Sequence, residues 1–92
     1  MNQSILFPDL QDWDEQTQTV IFPAQVQGAN IECRIGLTKL SEIALTLLKS
    51  TDCGIKEKAL TLFEEYRFDI EEEVETLIEL ESFDEQGLLV LK

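Results

Sequence analysis

The hydrophobic period of this chain changes once, and that change constrains the fold more than any other feature. Over Thr19–Gln27, Val20, Phe22, Ala24 and Val26 alternate with Ile21, Pro23, Gln25 and Gln27, the two-residue repeat of a strand with one buried face. Gly28-Ala29-Asn30 supplies turn residues, and Ile31, Cys33 and Ile35 then alternate with Glu32 and Arg34, so the two runs read as a β-hairpin. Pro23 lacks a ladder donor, which predicts an edge position or a bulge there. Beyond Gly36 the spacing lengthens to nearly four. Leu40, Ile43, Ala44, Leu47 and Leu48 form a helical stripe behind an N-cap at Thr38. A second stripe, Ala59, Leu60, Phe63, Tyr66, Ile70, Val74, Leu77 and Ile78, follows a cap at Thr51 or Asp52. Because this stripe keeps its phase, the expectation is one continuous helix to about Glu81, roughly 28 residues and 42 Å long. The alternative is a break near Phe68, with Asp69-x-x-Glu72 as a capping box.

At the N-terminal end, Ile5-Leu6-Phe7 reads as a short strand stopped by Pro8-Asp9. The polar stretch Pro8–Thr17, with Trp13 among Asp9, Asp12, Asp14 and Glu15, reads as a loop. Gly87 makes a turn before a last strand, Leu88–Leu91, which is apolar on both faces; Leu88 and Val90 are assigned to the core. Leu89 and Leu91 then fall on the opposite face with Leu6 and Ile21. The expected architecture is a single α+β domain over residues 1–92, in two layers. An antiparallel sheet of about four strands, in the element order β-β-β-α-α-β, carries two helices on one face, the second of them long. A chain of this length buries roughly 60–65% of its unfolded surface, enough for one core and no deep cavity. An apolar fraction of 43% with 8% aromatics excludes disorder. Two helices cover only one face, so the Leu89 and Leu91 side marks either a half-covered sheet or a homodimer contact.

Nineteen acidic against seven basic residues leave a net charge of −12. Residues 51–92 carry −9 of it, residues 1–18 carry −4 and residues 19–50 carry +1. Such a field repels phosphate backbones, which excludes nucleic acid and anionic membranes as partners. The longest apolar run, Leu88–Leu91, falls far short of a membrane span, and Ile5–Phe7 lacks the basic flank and length of a signal peptide. Cys33 and Cys53 make neither a disulfide framework nor a metal pattern, so a reducing, cytoplasmic location is expected.

The chain has no histidine, which removes the commonest general base and metal ligand together. Its four glycines are scattered singly and build no phosphate loop. No enzyme activity, cofactor, catalytic residue or metal ligand is therefore expected. Asp12-x-Asp14 suggests a calcium loop, but the required Gly and bidentate Glu are Thr17 and Pro23. Cys53 lies before the second helix near Lys56 and Lys58 and is the more reactive thiol candidate; Cys33 alternates as a core residue. Arg67 falls on the apolar stripe while Phe68 falls among Glu64, Glu72, Glu75 and Glu79, the reverse of the usual pattern. In one reading Arg67 lays its stem along the core edge and pairs with a carboxylate, with Phe68 shielded by a loop. In the other, Phe68 is an exposed anchor for a partner. The run Glu71-Glu72-Glu73 with Glu75, Glu79 and Glu81 reads first as a solvated face, and second as a surface for a basic protein.

The motifs Ile5–Pro8, Trp13, Val20–Ala24, Ile31–Ile35 and Arg67–Glu71 together resemble the small bacterial proteins grouped as domain of unknown function 1488. The likeness spans nearly the whole chain. It implies a proteobacterial α+β fold with an antiparallel sheet and helices on one side, and it brings no catalytic residues. The expected role is thus a non-enzymatic interaction or regulatory module acting on protein, as a possible homodimer. Its candidate contact residues are Trp13, Arg34, Arg67, Phe68, Leu89 and Leu91. The competing roles are an acidic decoy imitating nucleic acid, and a small-molecule or anion sensor built from Arg34, Arg67 and Trp13.

Overall fold

The computed structural model describes residues 5–49 and 51–91. Its frame is the hairpin. β3 (Thr19–Val26) and β4 (Ala29–Gly36) pair antiparallel along their whole length. The turn is Gln27-Gly28 rather than Gly28–Asn30, and both residues take positive φ (53° and 86°), as a two-residue hairpin loop requires. The alternation holds, with Val20, Phe22, Ala24, Cys33 and Ile35 all buried.

On the far side of β3 lie two short antiparallel strands, β1 (Ile5–Leu6) and β2 (Asp12–Asp14). β1 faces Val26 and Gln25, and β2 faces Ile21, Val20 and Thr19. Together they make one interrupted edge, and the interruption lies beside Phe22–Ala24. Pro23 sits in that gap, the edge position its missing donor called for. β2 occupies part of the stretch expected to be loop. Its single inward residue, Trp13 opposite Val20, is too short an alternation to register as a strand.

The sheet is mixed rather than wholly antiparallel. It has five strands among the described residues, in the order β1-β3-β4-β5 with β2 also on β3. β5 (Leu89–Leu91) runs parallel to β4, setting Cys33 opposite Leu89, Arg34 opposite Val90 and Ile35 opposite Leu91. This register inverts the phase expected of the last strand. Leu89 and Leu91 share the core face of Cys33 and Ile35 and are 0% and 2% exposed, so they are core residues and not contacts on the second face. That face instead carries Val90 with Leu6 and Ile21, interspersed with the charged Asp12, Asp14, Glu32 and Arg34.

The three helices among the described residues lie on the other face. α1 (Leu37–Ala44) leans on β4, α2 (Ile55–Glu65) crosses β2 and β3, and α3 (Arg67–Glu79) packs on β5. The caps are Gly36 and Gly54, without side-chain bonds, rather than Thr38 and Thr51 or Asp52. The Asp52 carboxylate instead accepts the Lys49 N–H at 3.0 Å. After α1, the Leu48 N–H donates to Ser41 Oγ at 3.1 Å and Leu48 turns inward, leaving Leu47 exposed.

The expected long helix is two helices. Tyr66 leaves helical geometry at φ −109° and ψ 26°, although its N–H still reaches the Leu62 carbonyl and its carbonyl still accepts from Ile70. The buried stripe therefore keeps its phase across the bend, through Ala59, Phe63, Ile70, Val74 and Ile78. No proline or glycine causes the kink. It lets one stripe follow a twisted sheet, from β2 and β3 beneath α2 to β5 beneath α3. The molecule measures 40 × 24 × 21 Å, so an unbent helix of about 42 Å would have filled its longest dimension. Phe63 of α2 meets Phe22 of β3 at the centre, with ring centroids 4.9 Å apart.

Candidate functional site

Arg67 opens α3 at the kink, and its side chain is 19% exposed. A guanidinium in that position needs acceptors on several sides. It finds three of them in the segment that interrupts the sheet edge and two on the helices themselves. Nη2 donates to the carbonyls of Phe7 at 2.7 Å and Pro8 at 3.3 Å. Nη1 donates to Asp9 Oδ1 at 3.0 Å and to Glu64 Oε2 at 3.4 Å, and Nε donates to Glu71 Oε2 at 2.7 Å. Gln11 adds a bond from its side-chain amide to Glu64. The carbonyls left without a strand partner between β1 and β2 are thus capped from the helical layer. The hydrogen bond from Arg67 holds the Asp9 carboxyl below its ordinary 3.8. Its bond to Glu71, foremost among the causes, makes Arg67 harder to deprotonate.

Next to this clasp stands Phe68, which is 85% exposed. No loop shields it, contrary to one of the two sequence readings, while the pairing expected of Arg67 is present. Leu10, adjacent to the clasped Asp9, is 70% exposed. The Arg67–Asp9 bond thus links the sequence neighbours of these two apolar side chains. Glu65, Asp69 and Glu72 flank Phe68 in the sequence of the two helices, all are exposed, and none has an ion-pair partner among the described residues. Along α3 the surface continues as an open groove of about 470 Å³ lined by Asp69, Glu72, Glu73, Thr76 and Leu77. Lys39 reaches Glu73 there at 3.0 Å.

The remaining candidates lie elsewhere. Arg34 is on the opposite face of the sheet, where it donates to Glu32 Oε2 at 2.8 Å, Asp14 Oδ2 at 2.9 Å and Thr17 Oγ1 at 3.3 Å. Trp13 is buried on the core side, with its indole N–H on Glu15 Oε1 at 2.9 Å. Trp13, Arg34 and Arg67 therefore do not converge, and each arginine is already surrounded by carboxylates. Cys33 is buried and its thiol is pushed up to about 12 by that burial and then by Glu32; Cys53 is exposed. Among the described residues no group of three or more acids and cysteines is placed to hold a metal ion. The sequence pointed to Arg67 and Phe68 but not to Leu10, Asp9 or Glu64. The available signal for Leu10 was a lone apolar residue in an otherwise polar stretch.

The chain matches the family model described as protein of unknown function (DUF1488) over residues 5–91. A crystal structure of a DUF1488-family protein of unknown function from Shewanella loihica PV-4 matches it with a TM-score of 0.84 and 45% sequence identity, covering 99% of this chain and 94% of that one. The uncharacterized protein YrdB of Escherichia coli K12 is 51% identical over 35 residues, as is that of Shigella flexneri. Those matches cover 38% of this chain and 41% of each YrdB chain.

Proposed function

This chain belongs to the DUF1488 family, and we propose that it works as a non-enzymatic interaction module, contacting protein through the surface centred on Phe68. One observation carries the reading. A phenylalanine left 85% exposed beside a side chain bonded to five acceptors is an apolar group held out on a fixed support. Aromatic residues so placed dominate many protein contacts, and the rigidity of the support reduces the ordering cost of binding.

A role without catalysis is supported by the lack of histidine and by a buried Cys33 thiol that stays protonated at physiological pH. The two free cysteines agree with a reducing cytoplasm. No helix among the described residues is long and apolar enough to cross a membrane. The net charge of −12 disfavours nucleic acid as the partner. Affinity capture from native bacterial lysate, with wild type and Phe68→Ala in parallel, tests the reading. Proteins retained by wild type are expected to be lost with the variant, whose melting temperature should stay unchanged. Identical capture by both proteins rejects the Phe68 surface.

A further inference from the structure

We infer that the occupant of the Phe68 surface is a lysine- or arginine-bearing segment of another protein, with a large apolar side chain set against Phe68. The inference rests on the reading above and names the chemistry of its partner. Phe68 and Leu10 are 85% and 70% exposed, and their sequence neighbours Arg67 and Asp9 are bonded at 3.0 Å. They supply two apolar contacts from different elements. Around them the charge has one sign. Glu65, Asp69 and Glu72 have no ion-pair partner among the described residues, and the local cation, Arg67, is already bonded to Asp9, Glu64 and Glu71. A neutral partner would cover these carboxylates without replacing their hydration. A cationic one gains steering on approach and charge-assisted bonds on arrival.

A second copy of this chain does not meet that requirement. A two-fold contact through the patch would bring two copies of the same Glu65, Asp69 and Glu72 cluster into one interface, in a molecule of net charge −12. The surface therefore suits a different protein.

Selection of short random peptides displayed on phage against the full chain, with counter-selection on Phe68→Ala, tests this. Enriched peptides should carry net positive charge and at least one large apolar residue, and should bind more weakly as salt is added. Their affinity should fall roughly 30-fold on Phe68→Ala, the loss expected of a central aromatic anchor. The fall should be smaller on Leu10→Ser and absent on Leu45→Ser in the α1–α2 loop. Enrichment of neutral or acidic peptides, equal binding to Phe68→Ala, or no enrichment at all would overturn the inference. The two readings fail separately. A natural partner whose capture needs Phe68, but whose cross-linked segment is neutral or acidic, keeps the interaction module and removes its cationic ligand.

Discussion

Arg67 joins two parts of the molecule that are far apart in the chain: the α2–α3 kink and the segment between β1 and β2. Removing it leaves three carboxylates and the Phe7 carbonyl to find water, while the Pro8 carbonyl keeps only the Leu10 N–H. Hydrogen bonds to a charged group contribute more than neutral ones, and unmatched acceptors are costly. Arg67→Ala should lower unfolding free energy by about 2–3 kcal/mol, measured by urea denaturation. Arg67→Lys should recover only part of that, because one ammonium cannot bridge carbonyls and carboxylates in several directions. Equal stability of all three proteins would reduce the clasp to a surface ornament. At this scale the sequence was half informative. A cation on an apolar stripe announced that it must be paired. Nothing in the residues named Phe7 and Pro8 as acceptors, since main-chain carbonyls look alike in any sequence.

Among the elements, the hairpin was legible because its alternation is long and clean on both strands. β5 was present in the sequence as four apolar residues in a row, and such a run has no phase. Only the parallel register against β4, with Leu89 opposite Cys33, decided which leucines face inward. The kink was legible only as the alternative of a break near Phe68, since a single irregular residue at Tyr66 keeps most hydrogen bonding and leaves the stripe in step. The end of α3 offers a quantitative check. Glu81 takes φ 53°, and the N–H groups of Glu81 and Ser82 close the last turn on the carbonyls of Ile78 and Leu77, both at 3.0 Å. Glycine suits that left-handed position better, and a carboxylate is unfavourable at the negative end of a helix. Glu81→Gly should therefore raise stability by about 0.5–1 kcal/mol, seen as a higher melting temperature. A lower one would show that Glu81 makes a compensating contact.

For the whole molecule, the two arginines work on opposite sides of the sheet and each gathers acids from distant segments. Asp9 is held below its ordinary 3.8 by the bond from Arg67. Asp14 is lowered first by its bond from Thr17, and further by Gln16 and Arg34. Because both folded values are depressed, the unfolded chain takes up protons first as the pH falls. The stability these groups contribute is complete above 3.8 and is lost as the pH drops through the lower folded values. Wild type and an Asp9→Asn, Asp14→Asn double variant should differ in melting temperature at neutral pH and converge in acid. Comparing the pair cancels most of the relief of self-repulsion that a chain of net charge −12 gains on protonation. An offset that persists unchanged below 3.8 would contradict the assignment.

A parallel strand cannot be delivered by a tight turn. Before Leu89 and Leu91 reach Cys33 and Ile35, the chain must lay down α1, α2 and α3, while the antiparallel pairings of β3 form from nearer neighbours. Assembly thus has a natural order, with the outer row of β4 the last to be closed. Pulsed hydrogen exchange during refolding should then protect the β3–β4 amides before those of β5, and simultaneous protection of all three strands would contradict that order.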